Sequence, residues 1–137
     1  MYPEEIVIPM KEELTENGFT ELVSAQEVKE TLDKDGTTLV MINSVCGCSA
    51  GTARPGVIMA VTNNNKRPER LVTSFAGFDV EAVKNIRQYL MPYPPSSPAI
   101  ALFKDRKLVH FIERHNIEGR SAQMIANNLK DAFEQYC

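Results

Sequence analysis

The stretch Thr38–Pro55, TLVMINSVCGCSAGTARP, decides how the rest of the chain is read. Its opening run, Thr38-Leu39-Val40-Met41-Ile42, is continuous, apolar and rich in β-branched residues. Such a run predicts a strand covered on both faces, because a strand with one wet face would alternate. Asn43-Ser44-Val45 and Cys46-Gly47-Cys48 follow at once, and Ala53 to Val61 then has helical spacing. Pro55 falls in the first turns of that helix, where a missing N–H is tolerated. A buried strand therefore gives way to a helix through a turn holding two cysteines.

The flanking segments extend the pattern. Before the strand, Ile6, Val7, Met10 and Leu14 share a helical face, but Pro9 interrupts it. The helix is therefore expected to start at Pro9 and to close at Gly18. Phe19 to Val23 is a possible short strand. Ser24 and Glu27 have capping-box spacing ahead of Val28 and Leu32, with Gly36 as a stop. After the Cys46 helix comes a polar loop, Thr62 to Arg70. Leu71 to Ala76 reads as the next strand, and Asp79 is expected to cap a helix carrying Val83, Ile86 and Leu90. Ala99 to Phe103 and Leu108 to Ile112 read as a hairpin joined by Lys104 to Lys107. Gly119 and Ser121 open a last helix with Ile125, Leu129 and Phe133 on one face. Strands alternating with helices predict an α/β fold. Its central mixed, mostly parallel sheet has four or five strands, with helices on both faces and the hairpin adding an antiparallel edge.

Length and composition agree. The chain has 137 residues, 43% hydrophobic and 24% charged, which suits one domain over residues 1–137 and excludes a disordered or fibrous chain. The Pro-rich patch Pro92 to Pro98 is too short for a linker and reads as a rigid loop. A net charge of −3 leaves no nucleic-acid footprint, although residues 1–36 carry ten acids and three bases, so a mildly basic body follows an acidic first third. The opening Met1-Tyr2-Pro3-Glu4-Glu5 lacks the basic start of a signal peptide, and no apolar run approaches a membrane span. Three cysteines do not make a secreted disulfide framework, so a reducing cytoplasm is expected.

The chemistry is expected at Cys46 and Cys48. A thiolate at a helix start meets unpaired backbone N–H groups and the positive end of the helix dipole. Its pKa should fall below the usual value of about 8.5. The position also lies beyond the carboxyl end of a strand, where open α/β sheets place their sites. A Cys-X-Cys disulfide closes only a small ring, better suited to exchange than to stapling. The residues assign attack to Cys46 and resolution of the mixed disulfide to Cys48. Two readings compete: small hydrophobes in a turn, and metal ligation with His110 or His115, neither of which has zinc-ligand spacing to a cysteine.

Further residues are weighed in the same way. Ser97-Pro98 precedes a strand and is a candidate for substrate binding through strand addition, against the plainer reading of a rigid turn. Pro55 is either an ordinary early-helix proline or a kink that aims the turn. Arg54 could support a thiolate or an acidic substrate, although most arginines are solvated. His110 reads as a satisfied strand residue, and Cys137 as either an incidental thiol or a site of mixed-disulfide formation.

The segment Val40 to Pro55, VMINSVCGCSAGTARP, resembles the active-site segment of the bacilliredoxins, thioredoxin-like proteins of low-GC Gram-positive bacteria. The likeness continues through Ser96-Ser97-Pro98, Val109-His110-Phe111-Ile112, Arg114-His115 and Cys137. It implies a thioredoxin-like fold in which Pro98 faces a redox-active Cys46/Cys48 pair. It also implies client proteins carrying bacillithiol, a low-molecular-weight thiol with carboxylates, as a mixed disulfide. Bacillithiol would act as thiol co-substrate and a separate bacillithiol disulfide reductase would restore the pool. No metal or other bound cofactor is expected, and the chain has no Gly-rich dinucleotide loop. The other activities left open are a general thiol-disulfide isomerase or oxidant, a cysteine-based metal or iron–sulfur carrier, and an interaction module with incidental thiols.

Overall fold

The computed structural model describes residues 1–137. Five strands and six helices follow in order: α1 (Glu4–Thr15), β1 (Thr20–Glu21), α2 (Ala25–Leu32), β2 (Thr37–Asn43), α3 (Arg54–Asn63), β3 (Arg70–Phe75), α4 (Val80–Tyr89), β4 (Ala99–Lys104), β5 (Lys107–Ile112), α5 (Arg114–Ile117) and α6 (Ala122–Tyr136). The sheet order is β1-β3-β2-β4-β5. β1 and β2 run parallel to β3, β4 opposes β2, and β5 opposes β4. Four of the five strands therefore point the same way, and β4 alone is reversed.

β2 is central and all seven of its residues are buried. Leu39 and Met41 point into an apolar cluster with Val57 of α3 and Leu129 and Phe133 of α6. Val40 and Ile42 point into the opposite cluster with Val28 and Leu32 of α2 and Ile86 of α4. Helices on both faces explain why β2 reads as an unbroken apolar run. The β4–β5 turn places Asp105 and Arg106 at φ 49° and 72°, the twist that tight two-residue hairpin turns favour.

Local signals mostly act as expected. Ser24 and Glu27 form a reciprocal capping box on α2. Two expectations change. α1 starts at Glu4, not at Pro9; Pro9 sits inside it on the exposed face. Asp79 stands at the start of α4 without capping it, because its carboxylate accepts from the Phe75 N–H at 2.9 Å and pairs with Lys11 at 3.0 Å. The short helix α5 occupies residues to which the sequence pattern assigns no element, and Asn116 Oδ1 accepts the Glu113 N–H at its start.

Candidate active site

The Cys46-Gly47-Cys48 turn leaves the carboxyl end of β2 and opens a helix. The Cys46 carbonyl accepts from Ser49 N–H at 3.0 Å and Ala50 N–H at 3.3 Å, so Cys46 is the residue at which helical bonding begins. The first N–H groups of that helix have no intrahelical partner, which favours negative charge beside them. The helix passes through a π turn, Ser49–Ala53, before becoming α3. Pro55 falls just beyond this π turn, so two common sources of helix bending adjoin beneath the cysteines.

Cys46 and Cys48 are joined by a disulfide, with Cα atoms 5.4 Å apart. Gly47 between them is exposed and both cysteines are half-buried. Cys48 packs against the α3–α6 apolar cluster.

A buried polar network holds the turn from below. Arg54 is 1% exposed. Its Nη1 donates to Asn43 Oδ1 (2.9 Å), the Ser44 carbonyl (2.8 Å) and Ser49 Oγ (3.1 Å), while Nε donates to Glu13 Oε2 (2.8 Å). Asn43 Oδ1 also accepts from Ser44 N–H at 2.8 Å and Ser49 Oγ at 3.1 Å. Ser44 Oγ in turn accepts the Cys46 N–H at 3.1 Å. A buried guanidinium is tolerated because its donors meet fixed acceptors. Arg54 thus belongs to the floor of the site and does not face solvent; Asn43, Ser44, Ser49 and Glu13 are members that sequence reasoning missed. The one available signal was a polar Asn-Ser pair directly after an apolar strand.

Pro98 is buried, and the peptide bonds before Pro92 and Pro98 are both cis. Ile42 pairs with Ala99 in the antiparallel β2–β4 ladder. Continuing that register one step sets Pro98 opposite Asn43, and a second step sets Ser97 opposite Ser44. Ser97-Pro98 therefore shares the carboxyl end of β2 with the cysteine turn. The remaining candidates lie elsewhere. His110 Nε2 meets Asn128 Oδ1 at 2.6 Å on the β5–α6 side. His115 lies 4.0 Å from Glu113. No group of three His, Cys, Asp or Glu side chains is placed to hold a metal ion. Cys137 is beside Thr37 and Lys104, at the opposite end of β2 from Cys46.

A family model described as disulphide isomerase matches residues 2–137. A bacilliredoxin of Cytophaga hutchinsonii is 58% identical over 135 residues, covering 98% of this chain and 99% of that protein. The chain belongs to the bacilliredoxin family. A second member, from Bacillus licheniformis, is 49% identical over 137 residues, covering 99% of this chain and 95% of its own length. Among solved structures, oxidised mitochondrial thioredoxin 3 of Saccharomyces cerevisiae aligns with a TM-score of 0.61 at 14% identity, covering 90% of this chain and 98% of its own. Fasciola hepatica thioredoxin aligns with a TM-score of 0.56 at 14% identity, covering 87% and 100%. The fold is thioredoxin-like, and this family member is a thiol-disulfide oxidoreductase with a redox-active Cys-X-Cys pair. No helix is long and apolar enough to cross a membrane.

Proposed function

We propose that the protein removes bacillithiol from client proteins in the cytoplasm, using Cys46 as nucleophile and Cys48 as resolving thiol, with no resident metal or other cofactor. The Cys46 thiolate attacks the bacillithiol sulfur of the client mixed disulfide. The old S–S bond breaks, the client cysteine leaves as thiolate and takes a proton from solvent, and Cys46 carries bacillithiol. Cys48, as thiolate, then attacks the Cys46 sulfur and expels bacillithiol. The Cys46–Cys48 disulfide that results must accept two electrons from outside, through bacillithiol and a separate bacillithiol disulfide reductase.

The observation that carries the reading is the Cys46–Cys48 turn at a helix start. The division of roles rests on Cys48, and not Cys46, packing against the α3–α6 apolar cluster. Ser97 and Pro98 are assigned to substrate binding, since an extended client segment can pair with the backbone beside them.

The test incubates a Cys48→Ala variant with a bacillithiolated protein and maps adducts by mass spectrometry. A stable bacillithiol adduct on Cys46 is expected; an adduct on Cys137 with none on Cys46 overturns the assignment. A second reading, disulfide isomerisation, is favoured by the description of the matching family model. Faster turnover of a scrambled-disulfide substrate than of a bacillithiolated client would select it.

A further inference from the structure

An open cavity of about 480 Å³ lies between the end of α4, the Pro94–Ser97 loop and the start of α5. Arg87, Ser97, Glu113, Arg114, His115 and Glu118 contribute to its lining. Two of these segments sit at the carboxyl end of β2. Ser97 immediately precedes Pro98, and Glu113 follows β5, whose last residue Ile112 pairs with Ile100 of β4. α4 begins after β3 at this same end, and helical side chains lean towards the helix start, so Arg87 reaches back towards it. With strands about 4.8 Å apart and about 3.3 Å per residue, Cys46 is on the order of 10 Å from Ser97.

The charges in the cavity are unequally committed. Glu118 pairs with Arg114 Nε at 2.8 Å. The Glu113 backbone is tied to Asn116, its N–H donating to Asn116 Oδ1 at 3.2 Å and its carbonyl accepting the Asn116 N–H at 2.9 Å, while its carboxylate has His115 4.0 Å away. Arg114 Nη1 also donates to the Ser97 carbonyl at 3.4 Å, and the Arg114 backbone N–H donates to Ser96 Oγ at 2.7 Å. Arg87 is different: its Nε is buried with no hydrogen-bond partner. No charge offsets its burial, which pushes the guanidinium down from its ordinary value. It remains a cation, since arginine keeps its proton in proteins. A half-buried guanidinium with a free donor costs stability that nothing in the folded chain returns.

We propose that Arg87 is the anion-binding residue of the active site, taking a carboxylate of the bacillithiol moiety while its sulfur lies at Cys46. This rests on the reading under Proposed function and names how that substrate is recognised. The site distinguishes the thiol by its charge, and the client protein need supply only the other half of the disulfide.

The test compares wild type, Arg87→Gln and Arg87→Lys on one client protein carrying either bacillithiol or uncharged 2-mercaptoethanol as its mixed disulfide. Release of the client thiol is followed over a range of substrate concentrations, and thermal melting checks folding. Arg87→Gln is expected to lose about five- to tenfold in kcat/KM on the bacillithiol adduct, the scale of one charged contact at a partly exposed site. The loss should fall on KM, Arg87→Lys should recover part of it, and the 2-mercaptoethanol adduct should be unaffected. Equal loss on both adducts, or on neither, overturns the subsite while leaving the proposed function intact. A wild type that leaves the bacillithiol adduct untouched overturns the functional reading itself.

Discussion

Replacing Arg54 by Met tests the claim that a buried guanidinium holds the cysteine turn. The side chain is 1% exposed and makes three buried donations, to Asn43 Oδ1, the Ser44 carbonyl and Ser49 Oγ, at 2.8–3.1 Å. Met fills comparable volume but donates nothing. Asn43 Oδ1 keeps its bonds from Ser44 N–H and Ser49 Oγ, so the Ser44 carbonyl is stranded while Ser49 Oγ loses one of its two bonds. Stranding a buried polar group costs roughly 1–3 kcal/mol and losing one hydrogen bond about 1 kcal/mol, so about 3 kcal/mol is expected for the two together. The fourth contact adds under about 1 kcal/mol, because Glu13 is 46% exposed and regains water. For a chain of this size 3 kcal/mol corresponds to a Tm lowered by about 10 °C. Urea unfolding followed by circular dichroism gives the free energy directly. Arg54→Lys should recover less than half, since one ammonium cannot replace the planar fork. Loosening the turn should also slow thiol exchange at Cys46 without changing alkylation of Cys137. An Arg54→Met protein within 1 kcal/mol of its parent, or a fully restored lysine variant, would refute the reasoning.

Other positions give independent checks. A Cβ on Gly56 would lie 2.8 Å from Ile125 Cβ and 3.1 Å from the Ala122 carbonyl, so Gly56→Ala should force α3 and α6 apart and cost about 2 kcal/mol by denaturant unfolding. Ser24→Ala removes one half of the α2 capping box and should cost about 1 kcal/mol in the same assay. Cys137 is exposed as a residue, yet burial of its sulfur pushes the thiol up, with Thr37 and Lys104 offsetting part of this. Because the folded value lies above the unfolded one, its contribution is complete below the ordinary thiol range and is lost as pH rises through the folded value. Stability measured in rising alkaline buffers should show that decline, and Cys137→Ser should remove it. In the reduced protein at neutral pH, iodoacetamide should label Cys46 well before Cys137; the reverse order would contradict the thiolate assignment.

What could be read in the sequence depended on how far apart the cooperating residues lie. β2 was legible because four consecutive apolar residues, Leu39 to Ile42, leave no wet face, and the α2 cap because Ser24 and Glu27 are three apart. Pro9 misled because a proline rule cannot tell that an exposed turn of α1 tolerates the missing bond. Asp79 misled because the groups that claim its carboxylate, Lys11 and the Phe75 N–H, are set by tertiary packing. The cysteines announced the reacting atoms, whereas their support did not announce itself. Arg54 meets Glu13 across 41 positions, and Arg87, Ser97 and Glu113 come from three separate segments. Spacing arguments reach one helix turn or one strand, and a polar network assembled across the sheet lies beyond them.

The two arginines near the site differ in a way that separates holding from binding. Arg54 is sealed in and supplied with acceptors on both sides of its guanidinium, so removing it strands its partners. Arg87 is half-buried with a donor left empty, so removing it strands nothing. Deleting an unsatisfied buried donor is neutral or stabilising in a folded protein. Arg87→Gln should therefore melt at or above the wild-type temperature while losing affinity for a carboxylate-bearing thiol. Arg54→Met should show the opposite combination, a lower melting temperature and an exchange defect that does not depend on the charge of the thiol. If both variants lost stability together, Arg87 would be a packing residue like its neighbour, and the cavity beside Ser97 would have no claim on the substrate.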